Sequence, residues 1–418
     1  MAILAQLTRD GRLLFLTRAI RLFAYGALSV VLVFYLVSLG LTESQTGLLL
    51  SATLVGDTVI SLYLTTRADR LGRRRMLIVG ALLMLGAGVT FGATRHLWLL
   101  MIAGTIGVIS PSGHEVGPFL SIEQAALSRV VTDRTRTSVF AWYTLAGSFS
   151  TALGALAGGA IARVLQQAGT PPADAYRMVV LLYAAAGAVL AVLFSRLSRA
   201  AEAATLGEKH AFRATVAAMS GLDRSRAVVL KLSALFALDS FGGGFVVQSF
   251  AAYWFYLRFG VSAATLGGIF FWANVLAGFS ALVAARLAAR FGLIRTMVVT
   301  HLPSNVLLIL VPVMPTLPLA TLVLLLRFSI SQMDVPARQS YVMAVVVPEE
   351  RSAAAGVTGV ARTLGAAISP LFAGLMFARP AWISVPFFAA GTLKIVYDLL
   401  LYREFVAVRP PEERGDTA

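Results

Sequence analysis

The chain contains no cysteine among its 418 residues. This absence excludes disulfide bonds, thiol nucleophiles and metal sites built on thiolates. Charged residues are scarce too, at 13% of the chain against about a quarter in an average soluble domain. The sequence also lacks an HExxH zinc motif, a phosphate-binding loop and a dinucleotide fingerprint. It therefore predicts neither an enzyme nor a bound cofactor or metal.

Long apolar stretches dominate the chain instead. Hydrophobic residues make up 58% of it, and the mean hydropathy is +0.81. Because about 20 apolar residues cross a bilayer, these stretches predict an all-α membrane protein with twelve transmembrane helices, spans 1 to 12. The predicted spans are residues 13–39, 46–64, 76–93, 97–119, 139–165, 176–197, 228–257, 266–287, 297–313, 317–335, 353–377 and 383–401.

A short basic fragment occurs twice, at residues 67–75 and 287–295. The same offset of 220 residues aligns Gly40 with Gly260. Duplicated membrane bundles are a common construction of secondary transporters. We therefore expect two pseudo-symmetric bundles of six helices. The expected division is residues 1–197 for the first bundle, 198–227 for a cytoplasmic linker, 228–408 for the second bundle and 409–418 for a disordered tail.

The net charge of +15 is distributed as in a membrane protein and not as in a nucleic-acid-binding module. Most Lys and Arg residues fall in alternate loops between the spans, as the positive-inside rule requires. This alternation predicts that both termini face the cytoplasm. Anionic lipid headgroups are the expected partner of the basic loops, and no nucleic-acid partner is expected.

The loop between spans 2 and 3 carries a family signature. Residues 65–77 read TTRADRLGRRRML. This segment resembles the G-x-L-A-D-R-x-G-R-K/R-x-x-L motif of the major facilitator superfamily, with Thr65 in place of the first Gly. The resemblance extends over essentially the whole chain and implies two helical bundles that rock around a cavity formed by spans 1, 4, 7 and 10.

The resemblance also implies a cytoplasmic gate. Its expected members are Asp69, Arg70, Gly72 and Arg73 in this loop. An internal match at an offset of 215 residues adds Arg136 and Arg351, after spans 4 and 10, as candidates for a corresponding gate. Independently of the family, Gly72 permits a tight turn at this place. The alternative for the arginines is that they only fix the topology.

Two further patterns bear on the direction of transport and on the gate. Residues 150–159 of span 5 are similar to the G-x-x-x-G-P-x-x-G-G motif of efflux antiporters in this superfamily, although small residues also serve ordinary helix packing. Glu123 lies opposite Arg338 at an offset of 215 residues, which suggests matching gate positions. Residues 109–118 hold two Pro and two Gly and predict a break in span 4. Pro336 is expected to have a milder effect in span 10.

Carboxylates at membrane depth are the candidates for proton coupling, because a buried charge is costly and burial favours a protonated acid. Asp57 lies midway along span 2, and Asp239 lies in span 7 just before Gly242–Gly244. Glu115 and Asp334 are the further candidates. His114 beside Glu115 suggests a proton relay. For each carboxylate, an internal ion pair or a packing contact is the alternative.

Substrate-cavity candidates combine charge, aromatic surface and hydrogen-bonding groups. They are Arg21, Tyr25, His114, Trp142, Gln248, Asn274 and Arg327. Arg21 could pair with Asp57 or attract an anionic group. Lys394 and Asp398 are spaced to pair with each other along span 12.

These patterns predict a monomeric, multi-pass protein of the plasma membrane, of the bacterial inner membrane in particular. Its predicted function is proton-coupled secondary transport of a small organic solute, with efflux antiport of amphipathic compounds favoured. The alternatives are an uptake symporter of an organic anion, and a receptor or scaffold that keeps the fold without transport. Small-molecule substrates, protons and membrane lipids are the expected partners.

Overall fold

The computed structural model describes residues 7–130, 133–198, 201–202, 222–347 and 350–408. All regular secondary structure in these ranges is helical. The α-helices, numbered α1 to α15, are Arg9–Ser38, Glu43–Leu71, Arg73–Ala93, Leu97–Ile106, Phe119–Val130, Asp133–Gln167, Pro172–Ser195, Arg226–Gly244, Gln248–Phe259, Ala263–Phe291, Leu293–Leu310, Leu317–Phe328, Asp334–Val345, Arg351–Phe377 and Val385–Phe405. Short 3-10 turns stand at Val311–Val313 and Pro380–Trp382.

These helices match the twelve predicted spans. Ten helical stretches of the described chain are long and apolar enough to cross a membrane, and Leu97–Ile106 and Leu317–Phe328 are shorter apolar helices. The predicted fold class, an all-α membrane protein of twelve spans, is confirmed. Three spans consist of two helices each: span 4 of α4 and α5, span 7 of α8 and α9, and span 10 of α12 and α13.

The predicted break in span 4 is confirmed. α4 ends at Ile106 and α5 begins at Phe119. In between, Gly113 and Gly117 have φ angles of 73° and 81°, which side chains with a Cβ rarely adopt. In span 10 the interruption lies at residues 329–333, upstream of Pro336. Pro336 therefore stands in the first turn of α13, where proline is tolerated, and its predicted role as the breaking residue is wrong.

Span 7 is interrupted directly after its glycine run. α8 ends at Gly244, and α9 begins at Gln248. A Cβ added to Gly244 would lie 2.5 Å from the backbone oxygen of Ala366 in α14. Glycine is therefore needed here for a close helix approach as well as for the bend that the sequence predicts.

The internal repeat is visible in the backbone turns. Gly40 and Gly260, which the repeat aligns, have φ angles of 94° and 65°. Gly72 and Gly292, which it also aligns, have φ angles of 101° and 83°. Each pair follows equivalent helices in the two copies, so the duplicated pattern specifies duplicated turns. The tight turn predicted at Gly72 is confirmed.

Glycines of the efflux-like pattern in span 5 bring α6 against α1. A Cβ at Gly154 would lie 2.0 Å from the backbone oxygen of Phe23, and one at Gly158 would lie 2.5 Å from that of Ala27. A Cβ at Gly365 of α14 would similarly lie 2.3 Å from the backbone oxygen of Ala237 in α8. Close helix packing accounts for these glycines.

The chain divides into two compact units by its contacts. One unit comprises residues 1–208 and 247–275, and the other comprises residues 209–246 and 276–418. Residues 247–275, which the sequence assigns to the second bundle, are grouped with the first unit because α9 packs against α1. The division into bundles, linker and tail stays a prediction. Residues 199–200, 203–221 and 409–418 of the predicted linker and tail lie outside the described ranges.

Glu350 caps the start of the second unit's first span. Its carboxylate accepts hydrogen bonds from the N–H groups of Asp223, Arg224 and Ser225 at 2.9, 3.1 and 2.9 Å. These donors, above all Asp223, stabilise the ionised form and hold the pKa of Glu350 below its ordinary value of 4.5. The contact fixes the loop after α13 to the N-terminus of α8.

Candidate functional site

A buried ion-pair cluster lies between α1 and the broken span 4. Arg21 donates from Nη1 and Nη2 to the two carboxylate oxygens of Glu123, both at 2.7 Å. Its Nη2 also lies 3.1 Å from Glu115 Oε1, and Arg18 Nη1 lies 2.7 Å from the same oxygen. Two arginines thus face two glutamates, and their formal charges cancel. The predicted pairing of Arg21 with Asp57 is wrong.

Glu123 is the most enclosed member of this cluster. Its side chain is fully buried and also accepts hydrogen bonds from Tyr143 Oη at 2.5 Å and Thr17 Oγ1 at 3.1 Å. Glu115 differs, because 15% of its side chain is exposed. A buried pair with this many partners holds α1, α5 and α6 in one arrangement. The interpretation of Glu123 as a gate residue stays a prediction.

Asp57 differs from Glu115, Asp239 and Asp334, the other three candidates for proton coupling. It lies in α2, is 9% exposed, and accepts hydrogen bonds from Ser61 Oγ at 3.3 Å and from the N–H of Gly117. No described Lys, Arg or His nitrogen lies within 4.0 Å of it. The turn at Gly117 exists only because span 4 is broken, so the break positions a donor for Asp57.

A second cluster surrounds Asp239 in the second unit. Lys394 Nζ lies 2.5 Å from Asp239 Oδ1, and Arg338 Nη1 lies 3.1 Å from Oδ2. Arg338 Nη1 also lies 3.2 Å from Asp334 Oδ2, one turn earlier on α13. All four side chains are at most 10% exposed. Arg338, like Glu123 at the matching position, is thus a buried ion-pair residue, and its role in a gate stays a prediction.

Asp398 belongs to the same cluster through different partners. Its Oδ1 lies 2.8 Å from His301 Nδ1, and its Oδ2 accepts from Asn305 Nδ2 at 2.9 Å. His301 Nε2 lies 3.7 Å from Asp239 Oδ1, which connects the two carboxylates. Lys394 binds Asp239 instead of Asp398, so the predicted pair along span 12 is wrong.

Gln248 and Asn274, two of the predicted cavity residues, are joined with Ser29 in a chain of side-chain hydrogen bonds in the first unit. Gln248 Nε2 donates to Ser29 Oγ at 2.7 Å, and Asn274 Nδ2 donates to Gln248 Oε1 at 3.1 Å. The N–H of Ser249 donates to the carbonyl of Pro111 at 3.1 Å. The start of α9 is thereby attached to both α1 and the broken span 4.

The remaining aromatic and histidine candidates occupy different surroundings. Tyr25 is fully buried and stacks on Tyr183, with ring centroids 6.2 Å apart. Trp142 is 42% exposed, and His114 is also exposed. The hydrogen bonds of the described residues join Glu115 to Arg21 and do not join it to the His114 ring. The structure therefore does not bring a His114–Glu115 relay together.

An open cavity lies within the second unit, beside the Asp239 cluster. Its volume is about 390 Å³. Its lining residues come from α8, α13 and α14 and include Phe236, Arg338, Gln339, Thr358 and Arg362. A larger cavity of about 480 Å³ shares Gln339 and is lined by Arg351, one of the predicted gate residues. Two cavities thus follow one another along α13.

The loop after span 2 is held from two directions. Arg73 Nη1 donates to the carbonyl of Ala125 at 3.1 Å. The Glu202 carboxylate accepts from the N–H groups of Arg73 and Arg74 at 2.6 and 3.1 Å, at the positive N-terminus of α3. The side chains of Asp69, Arg70 and Arg136 lie outside the described part of the structure, so their place in a gate stays a prediction.

Two residues at the second cluster are absent from the sequence-derived candidates. They are His301, which binds Asp398, and Arg362, which lines the adjacent cavity. The pattern of the sequence already indicated two central residues. The 215-residue offset aligns Glu123 with Arg338, and both lie at the centre of their cluster.

A family model matches the chain over most of its length. The model of the Major Facilitator Superfamily covers residues 14–333. This chain belongs to the Major Facilitator Superfamily. It is therefore a multi-pass membrane protein of a transporter family, as the loop signature implies.

Similar proteins agree with this assignment. The chain is 32% identical to the uncharacterized membrane protein YJR124C of Saccharomyces cerevisiae, with 96% of this chain and 95% of that protein covered. It is 34% identical to the quinolone resistance protein NorA of Staphylococcus aureus over 85 residues, which is 20% of this chain and 22% of NorA. The crystal structure of a D-xylose–proton symporter superposes with a TM-score of 0.70 at 14% identity, covering 94% of this chain and 97% of that one.

Proposed function

We propose that this major facilitator protein is a proton-coupled secondary transporter that exports small amphipathic organic compounds by alternating access. Both termini and the linker lie in the cytoplasm in this proposal, and the membrane is the bacterial inner membrane. The short similarity to NorA, whose name denotes quinolone resistance, favours export. The similarity in fold to a proton symporter is compatible with coupling to protons.

Proton coupling is supported by one observation, the lack of a cationic partner for the Asp57 carboxylate among the described residues. Glu115, Asp239 and Asp334 each have a cationic partner within about 3.2 Å, so their charges are already balanced. Asp57 has only neutral hydrogen-bond donors. A buried carboxylate without a cation is best neutralised by binding a proton. Asp57 therefore becomes the first coupling candidate, and Asp239 becomes a structural ion-pair partner.

Everted vesicles test the proposal. We expect uptake of a fluorescent quinolone, an amphipathic compound that carries a carboxylate, only when the vesicle interior is acidified. Asp57→Asn should abolish this gradient-driven uptake and leave downhill exchange measurable. Asp174→Asn is the control, since its carboxylate is 46% exposed in a pair with Arg177. Equal gradient-driven uptake by the parent protein and Asp57→Asn would refute coupling through Asp57.

Uptake of an organic anion is the second candidate. It is favoured by Arg327 and Arg362, because no described carboxylate lies within 4.0 Å of either. Accumulation of a labelled acid in right-side-out vesicles, but not in everted ones, would support uptake over export. Absence of transport in both preparations would favour the scaffold alternative.

A further inference from the structure

Arg362 carries an unbalanced charge next to an open cavity. It lies in α14, its Nε is buried without a hydrogen-bond partner, and its side chain lines the cavity of about 390 Å³. The carboxylates of the adjacent cluster are already engaged. Asp239 binds Lys394, and Asp398 binds His301. No described carboxylate is therefore available to balance Arg362.

Arg338 lines the same cavity, but its charge is balanced by two carboxylates. Its Nη1 is held by Asp239 and Asp334 at 3.1 and 3.2 Å, and its side chain is 5% exposed. These two bonds fix the guanidinium in place and offset its charge. The cavity thus has one rigid arginine and one arginine that lacks a counter-ion. Arg362 is half-buried, and a guanidinium that is partly removed from water without a counter-ion favours a negatively charged occupant of the cavity.

The rest of the lining fits the other parts of such an occupant. Ala355, Thr358, Gly359 and Arg362 lie three to four residues apart and share one face of α14. A Cβ at Gly359 would meet no atom within 4 Å, so this face is open. Apolar surface is added by Phe236, Val342 and Met343, and hydrogen-bonding capacity is added by the exposed amide of Gln339.

We infer that this cavity binds the anionic group of the transported solute, with Arg362 as its counter-ion and Arg338 as the fixed second guanidinium. The planar guanidinium matches a carboxylate, sulfonate or phosphate oxygen pair. The substrate class is then amphipathic organic anions. This inference rests on the proposed transport function but holds for either direction of transport.

The first test measures the electrostatic potential at a cysteine. The natural chain has none, so Ala355→Cys gives a single thiol in the cavity, seven residues or about 10 Å along the helix from Arg362. Reaction rates with the anionic 2-sulfonatoethyl and the cationic 2-trimethylammonioethyl methanethiosulfonates are compared in phosphatidylcholine nanodiscs at about 0.01 M salt, where screening is weak.

We expect Arg362→Gln to lower the ratio of the anionic reagent's rate to the cationic reagent's rate at least about fourfold. This is the change in the ratio that one positive charge about 10 Å from the thiol produces in water, because it attracts one reagent and repels the other. Arg379→Gln, which removes a charge from an exposed site of the same unit, is the control and should leave the ratio unchanged. An unchanged ratio in Arg362→Gln would overturn the inference.

The second test asks what occupies the cavity. We expect 2-naphthoate to slow modification of Ala355→Cys at least tenfold more effectively than its neutral analogue 2-naphthamide, and Arg362→Gln to remove this preference. Equal protection by acid and amide, or protection by phosphatidylglycerol but not by naphthoate, would overturn the inference. Neither test requires transport, so a transport-inactive protein with acid-selective protection would contradict the proposed function and leave the anion site standing.

Discussion

The ion pair between Arg21 and Glu123 offers the sharpest test of the first-unit cluster. Glu123→Gln keeps the shape of the side chain but removes the charge that faces two guanidinium nitrogens at 2.7 Å. Arg21, which is fully buried, would then keep only Glu115 as a charged partner. Arg21→Gln would similarly leave Glu123 with Tyr143 and Thr17 as its partners.

The expected magnitude follows from the burial of both groups. Removal of one partner of a buried pair costs about 3–5 kcal/mol, because a charge is left without compensation. The double variant restores neutrality, since two amides replace the pair. We therefore expect its destabilisation to be at least about 2 kcal/mol less than the sum of the single effects. With about 2.1 cal/mol/K per residue over 418 residues, each single variant should lower Tm by roughly 3–6 °C.

Thermal unfolding in detergent, followed by circular dichroism, gives the Tm of the parent, the two single variants and the double variant. The exposed pair of Lys231 and Glu404, 2.9 Å apart with side chains 63% and 40% exposed, is the matched control and should show no measurable coupling. Additive effects for Arg21→Gln and Glu123→Gln would refute the view that the two charges compensate each other.

Three further predictions concern topology, backbone and pH. In intact cells an impermeant thiol reagent should label Ala168→Cys but not Arg75→Cys, since the charge pattern places these exposed residues on opposite sides; labelling of Arg75→Cys would contradict the predicted topology. Gly72→Ala should lower stability by about 1–3 kcal/mol because of its φ of 101°, whereas Gly86→Ala, in a helix with open space around the new Cβ, should not lower the Tm. Because the pKa of Glu350 is lower in the folded protein than its ordinary value of 4.5, the ionised carboxylate stabilises the fold above pH 4.5, and this stabilisation is lost as the pH falls through the lower, folded pKa. The Tm difference between the parent and Glu350→Gln should therefore shrink below pH 4.5. A constant Tm difference would contradict the capping role of Glu350.

Local physics explains what the sequence predicted well. Apolar length and the 220-residue repeat predicted the spans, because in lipid a helix must satisfy its own backbone hydrogen bonds and needs a fixed number of apolar residues. The glycine turns at Gly72 and Gly292 were also predictable from local sequence, because a positive φ angle depends on local sterics that glycine satisfies. The break in span 4 followed from the Pro and Gly residues of that segment.

Only the tertiary structure decided which charges meet. Arg21 pairs with Glu123, 102 residues away, and Asp239 pairs with Lys394, 155 residues away. The sequence suggested nearer partners instead, Asp57 in the next helix for Arg21 and Asp398 one turn away for Lys394. Charge pairing depends on which helix faces pack, and that choice is made by close approaches such as Gly154 against α1. The sequence by itself therefore determined a duplicated twelve-span transporter fold. Long-range packing decided that no cation lies beside Asp57 and no carboxylate beside Arg362 among the described residues. This matters because burial and the distance to a partner set the energy of a charge in a membrane protein.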